Sequence, residues 1–583
     1  MKAGDAGSEY TVYTSAPEIQ RVLDDVTTWP GLTPDHGKIR NLTKLISREL
    51  GVLLYKKSAS SIWVVFVGGT GTGKSTLFNA LCGTDVSQTG VERPKTEGPV
   101  VYAHKNAAVA DGFPLGVYNI RSVDEQAPEG LRQAGIAGGF VIVEHARDAL
   151  MHIALADTPD LDSLDTCNRR MAEDFYLLAD LIVFVSSQEK YADEVPSQFF
   201  RRIYHDGKPY FFLVNKTDAK LVKEDVLVFF GQQGIDLDAE AVRFVPYIPV
   251  PTKETVVAEE TFRAFSSAFM QLVHKDRLPA LVREGATRRL KNLAGHTEAL
   301  CLLLEREQDA GIEWLATLDT LFEESTRELL DNLEQVDAKV SHAYIQNEIR
   351  KIFSKYDVLG RPRRFIAGLV LAPLRIFGMK VAATPRAHKR DLLKIGRKID
   401  LTPLMAAMDH YNRIVLEQLS PPDEHALLFA GLRRADIILT RDEISDLVHE
   451  EQERLAEWVE ETFEELARGI PRSKELGIYS TSILWGIMIV SFEIVLGGGI
   501  SILEAVLDSV LAPFVTKGSA ELFASREIKH IAKTLDRRYR ESLVAVLRHQ
   551  RDRYAECLTA LTVPAGVVEA LRTFETDLEG QHE

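Results

Sequence analysis

Residues Val64 to Thr76 read V-V-F-V-G-G-T-G-T-G-K-S-T, and this stretch decides the fold. An apolar, β-branched run, Ile62 to Val67, is followed directly by Gly68-x-x-x-x-Gly73-Lys74-Ser75. The order is a buried strand, a glycine-rich turn and a helix start, the context a phosphate-binding loop requires. Glycines at 68, 69, 71 and 73 let backbone N–H groups curl around a phosphate where a Cβ would clash. The helix starting near Lys74 points its positive end at the same phosphates. Lys74 adds a point charge on the β- and γ-phosphates, the Ser75 hydroxyl can ligate Mg²⁺, and Thr76 is expected beside them among the nucleotide-binding residues.

Downstream, residues 60 to about 275 alternate strand and helix. Strands are expected at 62–67, 99–104, 139–144, 151–156, 181–186, 210–214 and 243–249, with helices such as Ser75–Leu81 and Cys167–Ala179 between them. Several of the strands are continuous apolar runs, as a sheet buried on both faces needs. The fold expected is a doubly wound, mostly parallel α/β domain with its ligand at the carboxyl ends of the strands.

Two later motifs complete a nucleotide constellation. Asp157-Thr158-Pro159-Asp160 ends the strand 151–156, and Asp157 there can hold Mg²⁺ through water, opposite Ser75. Asn215-Lys216-Thr217-Asp218 ends the strand 210–214. The Asp218 carboxylate can accept from N1–H and the exocyclic amine of guanine, a pair adenine lacks, so it selects GTP or GDP. Lys216 can lie along the base, and Asn215 can brace the neighbouring loops.

In this order and at these strand ends, Gly68–Ser75, Asp157–Asp160 and Asn215–Asp218 resemble the translation-factor-related class of P-loop GTPases. The likeness covers about 200 residues. Arg93-Pro94-Lys95-Thr96-Glu97-Gly98-Pro99 resembles the switch loop of dynamin-like and related bacterial GTPases. That resemblance implies Thr96 as the threonine that reaches Mg²⁺ and the γ-phosphate, with Thr89 the alternative and an ordinary loop threonine a third. Ser186–Asp193 is similar to the segment after the same strand in large GTPases, and equally to a plain helix start. Catalysis is thereby assigned to Lys74 and Thr96, and the metal to Ser75, Thr96 and Asp157.

The sequence also departs from that class. Asp160 stands where the class has a glycine, and a carboxylate there has to point away from the γ-phosphate or repel it. Leu161 follows where a water-orienting glutamine is usual, and Gly71 replaces the charge-balancing serine of dynamins. The segment Phe244–Pro249 lacks the usual base-contacting signature, and no base contact is assigned to it.

The bulk numbers set limits. The chain has 583 residues, 45% hydrophobic and 26% charged, with a net charge of −16. That balance does not favour a nucleic-acid-binding surface. Four scattered cysteines without CxxC spacing argue against a disulfide framework or zinc site and fit a reducing cytoplasm. The first fifteen residues are polar, with no signal peptide visible, and are expected to be disordered.

Helices are expected from Ala16 to about Tyr55, broken at Trp29–Gly31 and Pro34, within an N-terminal segment 1–58 that packs on the GTPase or helical domain. The G domain is placed at 59–275. Residues 276–583 read as an all-α bundle or stalk, with long helices at 284–356, 402–418, 436–468 and 520–560. Two apolar stretches stand out there. Across 361–400, eleven basic and two acidic residues surround the run Phe365–Ala383. Such a run suits the headgroup region of anionic lipid, and equally a buried helix pairing its basic ends with acidic neighbours. Across 478–515, the triple glycine 497–499 separates two apolar helices that read either as a membrane-inserting hairpin or as a core hairpin; Glu493, Glu504 and Asp508 are costly in lipid. The whole plan resembles bacterial dynamin-like proteins. That likeness implies a cytoplasmic protein, peripherally membrane-associated, that self-associates through its GTPase domain and remodels or tethers membrane.

Overall fold

The computed structural model describes residues 5–339, 401–468 and 519–580, apart from residues 30, 59–60, 90–97, 117, 134–135, 137, 163–165, 219, 420–426 and 435. Thr96 and the stretches 361–400 and 478–515 therefore lie outside the described residues. The chain divides into two compact units. The first is 1–29, 35–306 and 563–583, and the second is 30–34 and 307–562.

In the first unit the apolar runs form the strands their composition predicts. All seven residues of β1 (Ile62–Gly68) are buried. Alternate side chains point to opposite faces. Trp63, Val65 and Val67 enter one apolar layer, and Ile62, Val64 and Phe66 enter the other. The first layer is closed by α5 (Thr166–Leu178), α6 (Glu194–His205) and α7 (Lys223–Gly231), through Phe175, Phe200 and Phe230. The second is closed by α3 (Lys74–Cys82), α8 (Lys253–Ala258) and α9 (Glu260–Leu272), through Phe78, Val256 and Phe265. Fully burying each such phenylalanine contributes roughly 1.5–3 kcal/mol.

The other strands are β2 (Val100–His104), β3 (Asn119–Asp124), β4 (Gly139–His145), β5 (Ile153–Asp157), β6 (Leu181–Ser187), β7 (Tyr210–Thr217) and β8 (Val242–Pro246), with the short helix α4 (Glu129–Gln133) between β3 and β4. Their order is β3-β4-β2-β5-β1-β6-β7-β8. β2 meets β5 antiparallel, and every other pairing is parallel. The carboxyl ends of β1, β5, β6, β7 and β8 thus share one edge, where all three nucleotide motifs emerge. β3 is the strand the apolar runs did not reveal. It is an edge strand, N-I-R-S-V-D, with no buried residue.

The expectation of disorder across residues 1–15 is corrected from Asp5 onward. α1 (Asp5–Thr28) already includes that stretch. Val12 extends the apolar stripe of Ala16, Ile19, Leu23 and Val26, and all five are buried. They pack with Ile46 and Leu50 of α2 (His36–Ser58), Leu293, Leu300 and Leu304 of α10 (Leu278–Lys339), and Leu571, Phe574 and Leu578 of α15 (Ala565–Glu579). Val12 and the half-buried Tyr13 are too little periodicity to read by eye, yet both pack into this layer.

The second unit is all helix among its described residues. It combines the later part of α10 with α11 (Thr402–Gln418), α12 (Leu427–Leu432), α13 (Arg441–Arg468) and α14 (Ser519–Leu561). Its core holds Leu318 and Leu329, Met408 and Tyr411, Val448 and Val459, and Val546 and Tyr554. Two of the polar side chains this core takes in are satisfied within it, as buried polar groups generally are. Tyr554 Oη donates to Asn412 Oδ1 at 3.0 Å. Gln550 Oε1 accepts from Leu439 N at 2.8 Å, and its Nε2 donates to the Ile437 carbonyl at 2.9 Å.

Candidate nucleotide site

β1 ends at Gly68 and α3 opens at Lys74. Gly71 and Gly73 hold φ of +72° and +87°, a region natural to glycine. A Cβ on Gly73 would stand 2.3 Å from Asn215 Nδ2, and one on Gly68 would stand 2.2 Å from the Val185 carbonyl oxygen. Thr72 Oγ1 donates to the Gly69 carbonyl at 2.9 Å and closes the turn. No side chain caps α3, because its N-cap is Gly73. Its first N–H groups therefore stay available to an anion.

Charge gathers at the start of that helix. The Lys74 ammonium lies 2.8 Å from Asp157 Oδ1 and also donates to the Thr158 carbonyl, with both charged side chains buried. Ser75 Oγ donates to Asp157 Oδ2 at 2.6 Å. β5 presents Asp157 at its last position, directly beside β1, where Phe66 pairs with it in register. Among the described residues no three His, Cys, Asp or Glu side chains cluster for a metal. The donors present, one hydroxyl and one carboxylate, fit Mg²⁺, a hard ion that takes most of its remaining ligands from phosphate and water.

Ser87 joins this group unannounced by the sequence. Its hydroxyl donates to the same Asp157 oxygen at 2.7 Å. A lone serine between Thr84 and Thr89 carries no pattern, and only the course of the loop after α3 brings it there.

The Asn215–Asp218 segment is tied to the glycine-rich loop. Asn215 Nδ2 donates to the Thr72 carbonyl at 2.8 Å, and Lys216 Nζ donates to the Gly71 carbonyl at 2.7 Å. Lys216 adopts φ +58°, a left-handed conformation costly for a side-chain-bearing residue. Asp218 lies in solvent. The Lys220 N–H, which it accepts at 2.8 Å, and Gln188 hold its carboxyl below the usual range. Thr217 Oγ1 donates to the Val245 carbonyl at 3.1 Å, and the Thr217 carbonyl accepts from Tyr247 N at 3.0 Å. These two bonds fasten the end of β8 and the residue after it to the Asn215–Asp218 segment.

The Asp157–Asp162 loop is bonded to the glycine-rich turn. Burial pushes the Asp160 carboxyl up, while Lys74 and the Thr70 hydroxyl draw it back. Leu161 is buried, and its N–H donates to the Gly68 carbonyl at 3.2 Å. Asp162 Oδ1 accepts from both Thr70 N, at 2.7 Å, and Thr70 Oγ1, at 2.5 Å. Partial burial raises the Asp162 carboxyl, but those bonds and Lys190 outweigh it and leave it below the usual range.

Comparison with known proteins bears on this same region. A protein of Caldicellulosiruptor sp. (strain Rt8B.4), described as an uncharacterized protein in the xynA 3′ region, is 28% identical over 210 residues, 33% of this chain and 52% of that protein. The match spans about half the length of that relative. Two solved structures, both described as an oligomerised bacterial dynamin pair that provides a mechanism for long-range sensing and tethering of membranes, are similar at 11% identity. One has a TM-score of 0.38 and covers 97% of this chain and 94% of its own; the other has 0.40, with 92% and 91%. Scores this low support no assignment on their own. Residues 64–218 match the family model of the dynamin family, a span that runs from β1 to Asp218 and contains the phosphate loop, Asp157 and the Asn215–Asp218 segment.

Proposed function

We propose that the chain binds GTP and GDP with Mg²⁺ and hydrolyses the β–γ phosphoanhydride of GTP. The observation that carries this reading is the uncapped N-terminus of α3 with Lys74, Ser75 and Asp157 gathered on it, tied through Asn215 and Lys216 to Asp218. The Gly68–Gly73 turn would receive the phosphates, Lys74 would exchange Asp157 for phosphate oxygens, and Ser75 and Asp157 would hold the metal. Bound Mg²⁺ supplies charge neutralisation on the β- and γ-oxygens. Thr96 is proposed as the switch threonine on the strength of its sequence context.

Slow intrinsic hydrolysis belongs to this reading. Leu161 is apolar and buried, so it orients no water. Asp160 adds negative charge beside the phosphate loop. A partner, a second copy of the chain or a loop backbone would then complete the site.

The wider role we propose is dynamin-like: a G domain at 59–275, helices at 1–58 packed on it, and a helical region at 276–583 whose basic–apolar stretch 361–400, with 478–515, meets anionic membrane at the cytoplasmic face. Its support is the reversal of charge at 361–400 in an acidic chain. Among the described residues one helical stretch, His530–Glu579, is long and apolar enough to cross a membrane by composition, but much of its apolar surface, including Val546, Leu558 and Leu571, lies in core. The second reading is a soluble regulatory switch, or a module that holds GTP with little turnover, and the buried Leu161 favours it.

One experiment separates them: the GTP hydrolysis rate per molecule against protein concentration, with and without anionic liposomes, using Lys74→Ala as blank. A rate that climbs with concentration or lipid supports self-association at the membrane. A flat, low rate with intact GTP binding supports the switch or the binding module. Absence of GTP binding by the unsubstituted protein overturns both.

A further inference from the structure

Asn79 sits near the end of α3 and is buried. Its Oδ1 accepts from Val86 N at 3.0 Å and from Ser87 N at 2.9 Å, and its Nδ2 donates to the Ser87 carbonyl at 2.8 Å. One side chain thereby fixes the backbone on both sides of Ser87. The Ser87 hydroxyl is fully buried and has one direction to go, to Asp157 Oδ2 at 2.7 Å. That oxygen also takes Ser75 Oγ at 2.6 Å, while Oδ1 faces Lys74 at 2.8 Å.

We infer that Ser87 is a positioning residue of the proposed metal site, holding the Asp157 carboxylate beside Ser75 through the oxygen that both hydroxyls share. The inference rests on the nucleotide reading above. Of the three groups on Asp157, two have other work when nucleotide binds: Lys74 is wanted by phosphate and Ser75 by the metal. Ser87 belongs to neither and is anchored by Asn79, so its bond remains to fix the carboxylate. A hydroxyl bonded to an ionised carboxylate is among the stronger hydrogen bonds, and removal of such an outer partner typically costs about 10–100-fold in metal affinity.

The test uses the full chain and a fluorescent GDP analogue, titrated with Mg²⁺ and separately in EDTA. Ser87→Ala is expected to raise the Mg²⁺ concentration for half-maximal tight binding by about tenfold, while affinity in EDTA stays at the unsubstituted value. Ser87→Cys, close in size but a weak donor, is expected to shift the midpoint in the same direction and serves if the alanine variant does not fold. Unshifted midpoints in both variants, or equal losses with and without Mg²⁺, overturn the inference, because a purely structural role would weaken both conditions alike. Failure of the unsubstituted protein to bind the analogue would overturn the nucleotide reading and this inference together; binding with unshifted midpoints overturns this inference alone.

Discussion

The Arg289 guanidinium meets the Asp180 carboxylate at 2.5 Å in the interior of the first unit, and Lys56 reaches its second oxygen at 2.5 Å. The Trp63 N–H adds a third bond at 2.8 Å. Burial alone would push the Asp180 carboxyl up, but the two cations and their hydrogen bonds hold it far below the usual range. Asp180→Asn keeps the shape and leaves two buried cations without their counter-charge. We expect it to cost roughly 3 kcal/mol, read as a lowered denaturant midpoint. A midpoint equal to that of the unsubstituted protein would mean that the carboxylate does not stabilise this joint.

The glycines of the phosphate loop are not equivalent. Gly68→Ala drives a Cβ into the backbone oxygen of Val185, which cannot yield, and should destabilise the fold by at least about 2 kcal/mol. Gly73→Ala combines positive φ with a clash against Asn215, so it should break the Asn215–Thr72 bond and lower nucleotide affinity at least tenfold, roughly the effect of a strained backbone position. At Gly69 a Cβ meets only ordinary contacts at 3.5 Å, and stability should change by no more than about 0.5 kcal/mol. Thermal unfolding and nucleotide titration of the three variants check the ranking.

Asp160 should repel the γ-phosphate of bound GTP. Asp160→Asn is expected to tighten GTP about fivefold relative to GDP, the scale of one screened charge pair near a surface. Because burial raises this carboxyl, the advantage should shrink as pH falls and the unsubstituted group takes up a proton. Calorimetric titration of both nucleotides at two pH values tests this; an unchanged GTP-to-GDP ratio would place the carboxylate out of reach of the phosphate.

His145 predicts an acid sensitivity. Burial, together with His104 beside it, lowers its imidazole from 6.5 to about 4. Its Nδ1 accepts from Arg147 N at 3.1 Å, which fixes the neutral tautomer. The folded chain therefore binds this proton less readily than the unfolded one. Its contribution is fully present above pH 6.5 and is lost as pH falls from there toward 4, by at most about 3 kcal/mol. His145→Phe should flatten that part of the stability profile. Equal losses between pH 7 and pH 4.5 in both proteins would show that the proton goes elsewhere.

The fold of the first unit was legible because its strands are buried on both faces, and continuous apolar runs such as Ile62–Val67 announce themselves. β3 escaped notice because an edge strand with no fully buried residue needs no continuous apolar run. The start of α1 was hidden for a related reason, since among its described side chains before Ala16 only Val12 is fully buried, with Tyr13 partly so. At the site, the phosphate loop and the residues 215–218 follow from local spacing. Ser87 and the bonds of Asp162 to Thr70 do not, because each depends on where a loop closes on a residue distant in sequence.

The bundle that joins α1 to α15 also sets a timetable. α1 is translated ahead of its partners, and the side chains that complete its burial, Leu571, Phe574 and Leu578, are made on the order of five hundred residues later. At synthesis rates of about 5–20 residues per second, the stripe from Val12 to Val26 waits roughly half a minute or more for its last partner. During synthesis this newborn helix is an apolar surface whose full shelter is still being translated.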